Sequence, residues 1–395
     1  MRTIGVVTVG RSDYGIYLPV LRRIQADAEL RLHLIAAGMH LSPEFGLTAK
    51  AIEADGFQIG NKVEMLLSSD TPEAIAKSMG LGTIGFAQSY GGYRPDLLVV
   101  LGDRFEMHSA AVAALPFKIP TAHIHGGELT EGAIDDALRH CITKLSHLHF
   151  VSNEEYGRRL IQMGEEPWRV VVSGSPALDN LHSQPLLSRD ELARRFGLAL
   201  DRPPLLVTFH PITLEYEQTE WQIGELLKAL RSMDLPVVFT MTNADTGGRV
   251  IVERIEQFVA DRGSAWFVRN LGSHAYYSMM ACGAAMVGNS SSGIVEAPSL
   301  GLPVVNVGAR QMGRLRAKNV IDVGYGYEEI VNGIRKAIAP EFRAALRGLR
   351  NPYGDGNAAE IIVKHLKGSV LDQRLLVKRF VDVPTSSHRE ARARA

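Results

Sequence analysis

Residues 97–115 read LLVVLGDRFEMHSAAVAAL, and this stretch decides the fold. Leu97 to Leu101 is apolar without polar alternation, the pattern of a strand buried on both faces. Gly102-Asp103-Arg104 breaks the run, and Phe105 to Leu115 then carries the composition of a helix. Strand, polar turn and helix together make one unit of a parallel sheet with helical covers. The unit recurs in both directions. Thr3 to Val9, Leu30 to Ala36, Thr121 to Ile124 and Leu148 to Val151 read as further strands. Ile16 to Asp27, Pro72 to Met79 and Ile134 to Leu145 read as the helices between them. Residues 182–204 are polar and end in Pro203-Pro204, which suits a connection between domains. A second series follows: Leu205 to Phe209, Pro236 to Met241, Ala265 to Val268, Ala284 to Val287 and Val304 to Val307. The sequence therefore predicts an α/β protein of two doubly wound, Rossmann-like lobes, 1–181 and 205–356, facing across a cleft.

The composition fits. The 395 residues are 46% apolar and 22% charged, enough for two globular cores. Lys and Arg number 43 and so do Asp and Glu; a net charge of zero argues against nucleic acid as a partner. An anionic ligand must therefore find local counter-charges. No apolar run approaches the ~18 residues that cross a bilayer, so no membrane is expected. Met1-Arg2-Thr3 enters the first strand with no small-residue cleavage site, which predicts no signal peptide. Cys141 and Cys282 lack CxxC spacing and read as reduced core thiols of a cytoplasmic protein. Residues 381–395 have no apolar periodicity and read as a disordered tail.

In open α/β sheets ligands bind beyond the carboxyl ends of the strands. The Gly-rich and polar segments 10–15 (GRSDYG), 102–104, 123–128 (HIHGGE) and 288–293 (GNSSSG) are placed there. Gly80-Leu81-Gly82-Thr83-Ile84-Gly85 matches G-x-G-x-x-G, yet it follows a helix opened by Thr71 and Pro72 rather than a strand. Close packing over small residues explains it, and no nicotinamide or flavin is expected. In Gly288 to Gly293 a strand runs into serines and a helix start, which suits a phosphate, although a serine cap without ligand fits equally. Glu296, one turn on, is placed to accept from ribose hydroxyls. Arg11 and Arg104 follow strands beside glycines, where a guanidinium fork matches a diphosphate. His123 and His125 with Glu128 raise a zinc site, but further ligands are unclear; wall histidines or ligand contacts are the alternative. His147 and His149 read as structural.

The chemistry centres on carboxylates. Asp103 ends a strand, and Glu128, Asp135 and Asp136 follow, with Arg139 and His140 one turn beyond. Carboxylates gathered in a cleft separate one another's pKa values into base and acid. One of Asp135 and Asp136 can instead serve the helix start. His210, ending the first strand of the second lobe, faces the same cleft.

Seven segments in order, RSDYG (11–15), GDRFEM (102–107), HIHGGE (123–128), GAIDDALRHCITKLSHLHF (132–150), FHP (209–211), GNSSSGIVE (288–296) and VNVGARQMGR (305–314), resemble the UDP-N-acetylglucosamine 2-epimerase family, and within it the hydrolysing branch. The resemblance spans nearly the whole chain. It implies a GT-B arrangement whose C-terminal helix, supplied by 357–380, crosses back to the first lobe. It implies catalytic roles for Asp103, His125, Glu128 and Asp135. Substrate binding is implied for Arg11, Arg104, His123, Arg139, His210, Asn243, Ser290, Ser291, Glu296 and Arg310. Some relatives carry glutamate where this chain has His125. The implied reaction eliminates UDP from the nucleotide sugar to a 2-acetamidoglycal, then adds water, yielding N-acetylmannosamine or an analogue and UDP. The implied sugar is N-acetylglucosamine or N,N'-diacetylbacillosamine. No cofactor or metal is required, the partner is the nucleotide sugar itself, and a homodimer or homotetramer is expected. A non-hydrolysing epimerase, a GT-B glycosyltransferase and a non-catalytic nucleotide-sugar sensor are the rival readings. Segment 132–150 and the intact carboxylates speak against them.

Overall fold

The computed structural model describes residues 1–131, 133–181, 185–212, 214–243 and 245–382. Seven parallel strands form the first sheet: β1 (Arg2–Thr8), β2 (Leu30–Ala37), β3 (Ile59–Val63), β4 (Leu97–Leu101), β5 (Thr121–Ile124), β6 (Leu148–Val151) and β7 (Val170–Val172). Their order is β3-β2-β1-β4-β5-β6-β7, so the direction of winding reverses between β1 and β4. Six more, β8 (Leu205–Thr208), β9 (Val237–Thr240), β10 (Ala265–Val268), β11 (Ala285–Gly288), β12 (Val304–Val307) and β13 (Val320–Val323), repeat the plan as β10-β9-β8-β11-β12-β13. Two doubly wound parallel sheets make the GT-B arrangement. The central strands β1, β4 and β8 are buried, and they carry the continuous apolar runs. β3, β7 and β13 escape that pattern. Each is an edge strand, short or carrying polar residues such as Asn61 and Asp322, because one side faces solvent.

Two helices differ from the sequence expectation for local reasons. The first begins at Arg11 rather than Ile16. The Asp13 carboxylate accepts the N–H groups of Val9 and Gly10 at 3.0 and 2.7 Å, closing the turn after β1. The second, Pro72–Gly92, runs straight through the glycine motif. A Cβ on Gly82 would lie 2.4 Å from Met65 Cε and 3.1 Å from Ser109 Cβ, and one on Gly85 2.7 Å from Val63 Cγ1, so these two serve close packing, while Gly80 has nothing within 4 Å.

Helix Ala358–Gly368 packs against helix Arg11–Ala26 of the first lobe. Asp179 caps it, accepting from the Ala358 and Ala359 N–H groups at 3.0 and 2.7 Å. The helical span of 357–380 is shorter than expected: it stops at Gly368, and only Gln373–Leu376 is helical beyond. The rest is a strap. Arg169 donates to the carbonyls of Arg374, Leu375 and Val377, and Lys378 to those of Thr143, Lys144 and Ser146. Of the expected disordered tail, residues 383–395 lie outside the described residues. Cys282 is half-buried, but Cys141 is exposed on helix Asp135–Leu145 and is no core thiol. Among the described residues no helix is long and apolar enough to cross a membrane.

Candidate active site between the lobes

The turn after β4 brings Asp103 to the cleft, where the Arg139 guanidinium pairs with its Oδ2 and Thr130 Oγ1 donates to it at 3.3 Å. Burial alone would raise the Asp103 carboxyl, but Arg139, Arg314, Arg310 and Arg104 together hold it below its ordinary range. Arg139 also donates to the His125 carbonyl at 2.8 Å. It is itself buried, so it acts through Asp103 and the 125–130 loop. Its neighbours on the same helix divide the labour. Asp136 accepts the Thr130 N–H at 2.7 Å and secures the loop. Asp135 is buried in the cleft, and burial, with Asp103 and Asp245 nearby, pushes its carboxyl up to about 7. One acid therefore stands near neutrality beside one held ionised, the pattern of a proton-transfer site.

β5 ends at Ile124, and His125 turns out of it with a left-handed φ of 66°. That conformation is uncommon for a residue with a side chain and is kept here by what surrounds it. His125 Nε2 meets Ser175 Oγ at 3.0 Å, and Nδ1 lies 3.5 Å from Glu128 Oε1. Burial lowers the His125 pKa, while the Glu128 carboxylate beside it pulls the other way. Glu128 also accepts from Ser152 Oγ at 2.9 Å. Burial would raise it, but His125, Arg314 and Arg139 keep its carboxyl below the ordinary value. Gly127 allows this loop: at φ 77° its absent Cβ would sit 2.6 Å from the Tyr156 carbonyl oxygen. His123, expected to bind substrate, is corrected by its surroundings. It is fully buried, Nε2 donating to the Gly102 carbonyl at 2.7 Å and Nδ1 meeting Thr143 Oγ1 at 3.2 Å, so it supports the Asp103 turn from behind.

The second lobe faces these groups. His210 follows β8; its Nδ1 accepts the Asn243 N–H at 3.1 Å, so the ring proton is on Nε2. Burial, with Arg310 and Arg104 near, drives its pKa well down and keeps it a neutral donor. Asn289 ties two strand ends together, accepting from the His210 N–H at 2.7 Å and donating to its carbonyl at 2.9 Å. Ser290 and Ser291 are half-buried at the end of β11. The helix behind them, Ser292–Val295, is only four residues long, so the hydroxyls and the loop backbone rather than a helix dipole offer contacts. Glu296 is buried with Oε2 unpartnered among the described residues, and burial pushes it up to about 7. Arg310 reaches the Asn289 carbonyl at 3.4 Å, and Arg11 reaches across from the first lobe to the Arg269 carbonyl.

Two residues that sequence reasoning passed over complete the site. Arg314 of the second lobe donates to the Leu129 carbonyl at 3.1 Å and to Thr130 Oγ1 at 3.4 Å, and lies 3.4 Å from Glu128 Oε2. Asp245 Oδ1 pairs with Arg104 Nη1 at 2.5 Å. Both stand inside quoted segments or next to them, but only the fold shows that they cross between lobes. A cavity of about 240 Å³ opens to one side of the carboxylates, lined by Asn243 and Asp245 opposite Leu66, Ile75 and Ser78. Among the described residues no three His, Cys, Asp or Glu side chains converge as a metal would require.

With this geometry in place, comparison with known proteins is informative. Residues 22–367 match the UDP-N-acetylglucosamine 2-epimerase family. The chain belongs to that family. It is 40% identical to the GDP/UDP-N,N'-diacetylbacillosamine 2-epimerase (hydrolyzing) of Campylobacter jejuni, covering 97% of this chain and 99% of that one. It is 36% identical to the UDP-N,N'-diacetylbacillosamine 2-epimerase (hydrolyzing) of Legionella pneumophila, over 96% and 99%. The crystal structure of the Neisseria meningitidis UDP-GlcNAc 2-epimerase bound to UDP-GlcNAc superposes with a TM-score of 0.77 at 19% identity, over 93% of this chain and 99% of that one. That likeness concerns the fold alone: the two lobes of this epimerase-family chain match those of that structure.

Proposed function

We propose that the protein is a hydrolysing 2-epimerase of a nucleoside-diphosphate N-acetylated sugar. The observation that carries the reading is the carboxylate trio in the first lobe: half-buried Asp103 and buried Glu128 held ionised by arginines, and buried Asp135 poised near 7. Ionised Glu128 or Asp103 takes the C2 proton while the C1–O bond to the diphosphate breaks, leaving a C1–C2 double bond. Asp135 then returns a proton to the opposite face of C2 while water oxygen adds to C1; the water's proton restores the Asp135 carboxyl, and the proton held by Glu128 or Asp103 leaves to solvent. The net change is one water consumed, a free sugar inverted at C2, and a nucleoside diphosphate released. Arg11, Arg104, Arg310 and the Ser290–Ser291 hydroxyls stabilise the departing diphosphate; His210 donates from Nε2, and Glu296 accepts from the ribose. The steps are redox-neutral and the leaving group has cationic partners in the protein, so the reading requires no nicotinamide and no metal.

The names of the relatives at 40% and 36% identity favour N,N'-diacetylbacillosamine over N-acetylglucosamine as the sugar. A cytoplasmic location and a homodimer or homotetramer complete the proposal; sedimentation analysis tests the assembly. Proton NMR in deuterated water, with each of the two UDP-sugars in turn, tests the chemistry. The expected product is free mannosamine-type sugar with deuterium at C2 and UDP in equal amount, formed faster from the diacetylated substrate. An intact UDP-linked epimer as the sole product would overturn hydrolysis.

A further inference from the structure

Arg104 is implied as a nucleotide contact, yet its guanidinium is already engaged by two carboxylates. Its Nη1 lies 2.5 Å from Asp245 Oδ1 across the lobe boundary, and its Nε lies 3.3 Å from Glu106 Oε2. Asp245 is buried, and its second oxygen has no hydrogen-bond partner among the described residues. A buried carboxylate with one strong partner is costly to leave alone, so losing Arg104 would require another way to quench its charge. A diphosphate carries at least two negative charges and competes for the same guanidinium fork.

We propose that Asp245 is a positioning residue for the epimerisation: it holds Arg104 while the cleft is empty, yields it to the diphosphate on binding, and then stands as the negative charge that keeps a proton on Asp135. This rests on the proposed function for the identity of the ligand. Asp135 is faced by Asp103 and Arg104 from the turn after β4, by Asp245 from the loop after β9, and by Arg310 from the loop after β12. Asp245 itself is faced by Arg104, Glu106 and Asp135. When Arg104 turns to the diphosphate, the cation that offset Asp245 is gone and Asp135 takes up a proton from solvent, because two buried like charges cannot both persist. Binding thus loads the acid that returns the proton to C2, and loads it only when substrate is present.

The experiment is calorimetry of UDP binding at pH 7 in buffers of different ionisation enthalpy, which counts protons taken up and needs no turnover. Wild type is expected to take up a substantial fraction of a proton. Asp245→Asn should lose at least half of that uptake and bind UDP roughly tenfold tighter, since Arg104 is no longer contested. Its kcat profile should fall on the alkaline side about one pH unit earlier, while Asp245→Glu should restore both readouts. Asp245→Ser gives the same comparison should the Asn variant not fold. Unchanged proton uptake and affinity in Asp245→Asn would overturn the role of Asp245 and leave the proposed function standing. No UDP binding to wild type would overturn the proposed function and this inference with it.

Discussion

Glu128 has every property of an ionised proton acceptor: it is buried, its carboxyl is held low, and its Oε1 takes the Ser152 hydroxyl at 2.9 Å. Replacing it by Gln keeps the size and the Ser152 bond but removes the charge. Glu128→Gln should lower kcat by about 10² to 10⁴-fold with UDP affinity little changed. UDP release and C2 deuterium incorporation measure the first, calorimetry the second; a change confined to KM would remove Glu128 from the proton transfers. Asp135 differs because burial and like charges lift it to about 7. As the acid that returns a proton it is active when protonated, so kcat/KM, which reports the free enzyme, should fall as pH rises through about 7 in wild type. Asp135→Asn should lose most turnover and show no such bend.

At the scale of elements, the helix Asp135–Leu145 carries Asp135 and Arg139 at its start and is held at its far end by the C-terminal strap. Lys378 Nζ donates to the Thr143, Lys144 and Ser146 carbonyls at 3.2, 3.0 and 2.6 Å and pairs with buried Glu165 at 2.8 Å. The Thr143 carbonyl also accepts the Ser146 N–H at 3.2 Å, and Lys378 adds to that turn the work of a C-terminal cap. Lys378→Met should cost about 1–3 kcal/mol of stability. Thermal or urea unfolding checks this, and an unchanged midpoint would show that water replaces the lysine freely. The strap was not legible in the sequence because its contacts are carbonyl oxygens, which every residue supplies. The helix through Gly80–Gly85 was legible, since Thr71-Pro72 marks a helix start locally.

For the whole molecule, burial of titratable groups shapes stability against pH. Nine histidines have pKa values lowered chiefly by burial, among them His40 and His123 to about 3 and His147 to about 4. The unfolded chain binds protons at these rings near 6.5 and the folded one does not, so their contribution is lost as pH falls through that value. Asp13, Asp135 and Glu296, raised to about 7, act in the opposite sense, because the folded state binds their protons first. Glu106 and Asp179, also raised by burial, act with them, and nine groups outweigh five. The ligand-free protein should therefore lose stability between pH 7 and pH 5, and His40→Asn should flatten the slope by about one proton. Denaturant midpoints across that range decide it; stability rising toward pH 5 would show that the carboxyls dominate.

The sequence by itself determined the two-lobed parallel fold and the strand ends at which polar residues gather. Both are local matters: an unbroken apolar strand must be covered on both faces, and the turn after it must be polar. It was silent on edge strands β3, β7 and β13, whose half-exposed positions carry no continuous signal. Within the site, composition marked Asp103, Glu128 and Asp135 as carboxylates but could not distinguish their charge states. Those follow from Arg139, Arg314, Arg310 and Arg104, contributed by three separate segments. Likewise His123 and His125 are two residues apart and alike in type, yet one is buried behind the Asp103 turn and the other beside Glu128. Only the tertiary structure decided these, because charge and burial depend on distances across lobes that no spacing along the chain encodes.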